Sequence, residues 1–330
     1  MADRAARERV RNPPPRPVGL ILLTAVIGVA LVGRDVFTFS VGSNEAIQTW
    51  STIFVAITIQ ALPFLGLGVI VSGAIAAFVS DRVIQRTLPR RPSVAVPVAG
   101  VLGAALPGCE CGSVPLAGRL MARGVAPSAA LTFMLSSPAI NPVVLVATAV
   151  AFPQQPVVVV ARFAASLCAA VVIGLLWARW GRAEWLQVPR RVHAHGDSRL
   201  QTFRLTVQYD FLQSAGFLVV GGFFAATLNV AVDPSWSLTV AGVPVVSVLV
   251  LAVLAVLLAV CSEADAFVAA SLTGFSLTAK LAFMVVGPAV DIKLIVMQAG
   301  TFGRRFALRF ASLTFVVAVA IVLLVGGLIL

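Results

Sequence analysis

Residues 111–146 read CGSVPLAGRLMARGVAPSAALTFMLSSPAINPVVLV, and residues 261–296 read CSEADAFVAASLTGFSLTAKLAFMVVGPAVDIKLIV. At an offset of 150, with no gap, nine of 36 positions match. The matches include Cys111 with Cys261, Gly124 with Gly274, Leu131 with Leu281, Phe133-Met134 with Phe283-Met284 and Pro138-Ala139 with Pro288-Ala289. Coincidence in an apolar chain would fall on Ala, Val and Leu, whereas most of these fall on Cys, Gly, Phe, Met and Pro. The two stretches are read as copies of one unit.

The surroundings of that unit are lipid-like. The 330 residues are 59% hydrophobic and 11% charged, with a mean hydropathy of +1.01, a profile that no soluble domain class shows. A bilayer core needs roughly 20 apolar residues per helical crossing, so the chain has room for about ten spans and no separate enzymatic module. A net charge of +11 would point to nucleic acid in a soluble protein. Here 20 of the 24 Arg and Lys fall in five short segments, the N-terminal tail, 82–91, 119–123, 179–204 and 304–309. If all five face the cytoplasm, the positive-inside rule accounts for them and no nucleic-acid partner is needed.

That rule sets the expected path. Residues 1–17 form a disordered basic cytoplasmic tail, and 18–49 a first, uncleaved transmembrane helix and external loop. Repeat 1 covers 50–177: an inward span with a small-residue face at Gly66, Gly68 and Gly73, then a hairpin over 94–121 that turns within the membrane at Cys109-Glu110-Cys111-Gly112. An outward span over 127–152 follows, broken at 136–142, and 157–177 closes the repeat. A cytoplasmic basic loop occupies 178–208. Repeat 2 covers 209–330: an outward span to Val232, an external loop from Asp233-Pro234 to Gly242, and a second hairpin entering from outside. An inward span over 280–299, broken at Gly287-Pro288, and a last outward span complete it. The expected fold is an all-α integral membrane protein, multi-pass in the cell inner membrane with its N-terminus cytoplasmic. It is an inverted-topology repeat with two re-entrant hairpins and broken transmembrane helices. Such folds place their solute site near mid-membrane, between the repeats, where interrupted helices expose backbone dipoles.

An ionisable group at that depth costs about 2.5–3.5 kcal/mol, so each needs a partner or a purpose. Glu110, Glu263, Asp265, Asp291 and Lys293 are the groups read this way, four carboxylates to one amine, a balance that favours a cationic ligand or coupling protons. Cys109, Cys111 and Cys261 add soft sulfur donors, and thiolate with carboxylate suits zinc-like ions, softer ions or thiol-reactive metalloids. Cys111, Cys261, Glu110 and Glu263 form the expected metal set, the metal being solute and no resident cofactor being expected. Ser136, Ser137, Pro138, Asn141 and Ser262 complete the expected substrate-binding set, because prolines at a break free carbonyls to face a cavity. Cys168 reads as a small hydrophobe and His193 and His195 as solvated loop residues, with peripheral metal capture as the alternative for the histidines.

The runs PGCECGSVPLAGRLMARGVAPSAALTFMLSSPAINPVV (107–144), CSEADAFVAASLTGFS (261–276) and GPAVDIKLIVMQAG (287–300) resemble the ArsP/YraQ-like predicted permease family, closest to its YcgR-like branch. The resemblance covers roughly residues 50–330. It implies an integral-membrane permease; members bearing the ArsP label export trivalent organoarsenicals, and the YcgR-like branch often accompanies a YcgQ-like second subunit. Cys-Glu-Cys at 109–111 departs from some arsenical exporters, and Glu263 and Asp265 are further departures.

Three readings follow. The first is a secondary transporter of a soft metal ion, metalloid or thiol-reactive solute, driven by an ion gradient because the chain has no Walker motif. The second is a membrane thiol redox enzyme using Cys109 and Cys111. The third is a non-transporting subunit of a membrane complex.

Overall fold

The computed structural model describes residues 45–78, 91–105, 110–187, 199–231, 244–272 and 274–330, and among these every regular element is helical. The expected tail and first span, Cys109, His193, His195 and the loop at Asp233-Pro234 lie outside the described residues.

Among the described residues, twelve α-helices fall into two sets of six in one order. The first set is α1 Glu45–Phe78, α2 Pro92–Gly103, α3 Glu110–Ala122, α4 Pro127–Ile140, α5 Pro142–Ala151 and α6 Val157–Trp180. After a short 3₁₀ turn, Ala183–Trp185, come α7 Arg199–Ala231, α8 Pro244–Leu258, α9 Asp265–Ser271, α10 Leu277–Ala289, α11 Ile292–Phe302 and α12 Arg304–Ile329. Helices α4 and α10 start at 127 and 277, and α5 and α11 at 142 and 292, so the offset of 150 read in the sequence is an offset of structure as well. Among the described residues, five stretches are long and apolar enough to cross a membrane: 127–151, 157–180, 200–227, 277–302 and 304–329. The protein is a multi-pass membrane protein.

Packing repeats with the order of the elements. Helix α2 lies against α4 as α8 lies against α10, and α4 against α6 as α10 against α12. Across the halves, α1 packs on α7, α4 on α10 and α6 on α12, each helix meeting its own counterpart. Two further crossings are reciprocal: α3 meets α11, and α9 meets α5.

The first break falls at Asn141, inside the stretch 136–142 expected for it, and the second at Val290-Asp291, later than the expected Gly287-Pro288. Helix α4 runs through Ser136, Ser137 and Pro138 to Ile140, and α10 runs through Gly287 and Pro288 to Ala289. A proline inside a helix forfeits one hydrogen bond, about 3 kcal/mol, which close packing on all sides can absorb. The chain breaks instead where a side chain can restart it. Asn141 accepts the Val144 N–H at 3.0 Å and Asp291 accepts the Leu294 N–H at 2.5 Å, each capping the next helix. These two caps are themselves 150 residues apart. The basic loop expected over 178–208 is also shorter, since α6 reaches Trp180 and α7 begins at Arg199. Arginine is a good helix former, so a run of positive charge does not by itself end a helix.

Glycines set the closest approaches. A Cβ on Gly68 of α1 would lie 2.4 Å from the Gly112 Cα of α3, and one on Gly221 of α7 would lie 2.8 Å from the Lys293 Cα of α11. Gly73 meets Val207, whereas Gly66, expected on the same face, has open space before it. Each long leading helix thus presses bare backbone onto a segment that carries ionisable groups.

Candidate functional site

The turn between α8 and α9 spans residues 259–264. Helix α8 stops at Leu258, and Ala259 takes a left-handed φ of 49°, a conformation costing an L-residue roughly 1–2 kcal/mol. This turns its carbonyl toward Lys293, on the first turn of α11. The Lys293 Nζ lies 3.3 Å from the Ala259 carbonyl oxygen and 3.5 Å from an Asp291 carboxylate oxygen. It lies 3.8 Å from the Cys261 Sγ and 3.8 Å from a Glu110 carboxylate oxygen. Cys111 is within electrostatic reach of the same ammonium. Glu110, Asp291 and Lys293 are wholly inaccessible to solvent, and Cys111 and Cys261 are buried.

Two halves meet here. Glu110 and Cys111 open α3 in the first half, while Cys261, Asp291 and Lys293 belong to the second. Cys111 also packs among Leu65, Val69, Ala215, Leu218 and Met297, which brings α1, α7 and α11 against it. The contacts to the ammonium are longer than the 2.7–3.2 Å of ordinary N–H···O bonds, so the nest is loose. Around it, Ser262 Oγ and both Glu263 carboxylate oxygens are buried without a hydrogen bond. Buried polar atoms are normally satisfied, and orphans of this kind mark a place where something else binds or moves.

Asp265 lies elsewhere. Its carboxylate takes two hydrogen bonds of 2.8 Å from the guanidinium of Arg162 on α6. Arg162 also donates to Thr148 Oγ1 of α5 at 2.9 Å and to the Ser262 carbonyl at 3.3 Å. The turn is therefore gripped at its start by Lys293 and at its end by Arg162, with Glu263 between them.

Arg162 is absent from the residues singled out in the sequence, although an arginine five positions into an apolar run carries the same signal that selected Lys293. Lys280 was passed over too; it is 9% exposed and sits over the Phe152 ring at 6.0 Å. With both counted, four carboxylates face three cations, and the four-to-one balance that favoured a cationic ligand does not hold. Arg119, expected at the cytoplasmic edge, is buried and forms a two-pronged ion pair with Asp210 of α7.

The residues expected around the first break serve local structure. Ser136 Oγ donates to the Phe133 carbonyl at 3.2 Å and faces Gly103, and Asn141 Nδ2 donates to the Ser137 carbonyl at 3.1 Å. Pro138 is an interior residue of α4. Among the described residues, no three Cys, His, Asp or Glu side chains stand close enough to hold a metal ion. The space among Glu110, Asp291 and Cys261 is occupied by the Lys293 ammonium.

Comparison with known proteins adds the family. The chain is 36% identical over 284 residues to the UPF0718 protein YcgR of Bacillus subtilis, an alignment covering 84% of this chain and 97% of that protein. It is 31% identical over 282 residues to a Streptococcus mutans protein named as a subunit of a two-component membrane permease complex, covering 83% and 94%. No solved structure matches it. A family model described as "Predicted permease" matches residues 46–327, so nearly the whole described molecule is accounted for. The chain belongs to the ArsP-type predicted permease family.

Proposed function

We propose that this permease is a secondary transporter that moves a small solute through a mid-membrane site between two halves of inverted topology. The solute class that suits the donors is a soft metal ion, a metalloid or an organoarsenical. The two halves would sit in the cell inner membrane with the N-terminus cytoplasmic, the two turns entering the bilayer from opposite sides. The observation that carries the reading is the convergence of Glu110 and Cys111 from one half with Cys261, Asp291 and Lys293 from the other in a fully buried nest. Helix–counterpart packing of α1 on α7, α4 on α10 and α6 on α12 supports it, because a two-fold relation between halves produces such contacts.

In this arrangement the thiols of Cys111 and Cys261 and the carboxylates of Glu110 and Glu263 would ligate the solute. The resting nest is not a ready metal cage, so loading requires the ammonium and these donors to rearrange. A pair of halves that rock against each other supplies that rearrangement.

Transport into proteoliposomes tests it, using a panel of zinc, cadmium, arsenite and a trivalent methylarsenical. Wild-type protein is expected to move at least one of these, and Cys111→Ser and Glu263→Gln each to abolish that flux while the protein stays folded. Wild-type flux in both variants would retire the site. A second reading, a subunit of a two-component complex, draws on the name of the streptococcal relative. It predicts that flux appears only when a second membrane subunit is reconstituted alongside.

A further inference from the structure

Four buried charges take no part in the Lys293 nest: Arg119 with Asp210, and Arg162 with Asp265. Their placement follows one rule. Arg119 lies on α3, eight residues and about 12 Å along the helix from Cys111, and its partner Asp210 is on α7 of the other half. Asp265 opens α9, four residues after Cys261, and its partner Arg162 is on α6 of the other half. Every member of both pairs is at most 8% exposed.

We propose that Arg162 and Asp210 are positioning residues, each half supplying the charged group that holds the other half's thiol-bearing segment in place. The chemistry favours this over a role in bulk stability. A buried ion pair adds little net stability over an apolar pair of the same shape, while a planar guanidinium on a carboxylate dictates both distance and orientation. Arg162 goes further than pairing, since its bond to the Ser262 carbonyl holds the turn's own backbone one residue from Cys261. A shift of one half is thereby delivered to the thiol of the other. The proposal rests on the reading of Cys111 and Cys261 as site groups, but its test needs no solute.

The test is the rate at which a membrane-permeant maleimide labels single-thiol proteins, with the other three cysteines changed to serine, in native membranes. Arg162→Lys keeps the charge and loses the fork. It is expected to speed labelling of Cys261 by about tenfold and leave Cys111 within about twofold, as local opening of one segment would. Asp210→Asn is expected to do the reverse. A variant that merely loosened the fold would expose both thiols alike, and equal acceleration at both, or none at either, overturns the proposal. Should Arg162→Lys not accumulate, Thr148→Val strips one hydrogen bond from the same guanidinium and is read at the same thiol, with the same outcomes deciding. Selective labelling, together with a wild-type protein that moves no solute, leaves the positioning role standing and retires the transporter. Unselective labelling in a protein that does transport has the opposite meaning.

Discussion

Two fully buried cations lie at reciprocal junctions of this molecule, Lys293 where α3 meets α11 and Arg162 where α9 meets α5, and they are treated very differently by their surroundings. Arg162 is locked, with two bonds of 2.8 Å to one carboxylate, a hydroxyl at 2.9 Å and a carbonyl at 3.3 Å. Lys293 is merely surrounded, its nearest partners at 3.3–3.8 Å and several oxygens nearby without hydrogen bonds. The same repeat has thus produced one closed junction and one open one. On the proposed reading the open one is where a solute competes, because the contacts to its ammonium are long.

The comparison breaks most easily at Arg162. Arg162→Met strands the Asp265 carboxylate in an apolar interior and is expected to cost about 3–5 kcal/mol, seen as loss of folded protein and a lower unfolding temperature in detergent. An unchanged unfolding temperature would mean the closed junction is not structural. Lys293→Met strands the carboxylates of Glu110 and Asp291, and is expected to cost less than Arg162→Met because the long contacts leave these groups room to shift. Its larger effect is expected on transport, which should fall to background; a stability loss matching that of Arg162→Met would erase the distinction between the junctions.

A third substitution probes how firmly the open junction is pressed together. Gly68→Ala places a methyl 2.4 Å from the Gly112 Cα, a backbone atom that cannot rotate away, so α1 and the start of α3 must part. The expected cost is about 1–2 kcal/mol, with faster maleimide labelling of Cys111 as the sharper readout. The smallest effect belongs to Cys168, an exposed thiol of α6. Cys168→Ser should change stability by less than about 0.5 kcal/mol and leave flux intact, and any larger effect would assign that thiol a role the geometry does not give it.

Several of these features were legible in the residues. The offset of 150 aligned the span read from 127 with the one read from 280, and put a break in each near Pro138 and Pro288. Glu110, Asp291, Lys293 and Cys261 stood out because charge and sulfur are rare in so apolar a chain. The first break lay inside the stretch read for it, but the residue at which each helix ends was not legible, since a proline and a capping Asn or Asp three residues later are rival signals. Packing decided between them by sheltering Pro138 and Pro288 inside helices and leaving the restart to Asn141 and Asp291.

Membrane residence, helical class, repeat length and family membership were all determined by the sequence alone, because hydropathy, motif spacing and self-similarity are local and additive. Pairing was not. Whether Asp265 faces a solute or an arginine, and whether Arg119 meets water or Asp210, depends on which helices cross, and those partners lie about a hundred residues apart in the chain. Only the tertiary structure brings them within reach, and with it decides which buried charges are committed to the fold and which are left loosely held.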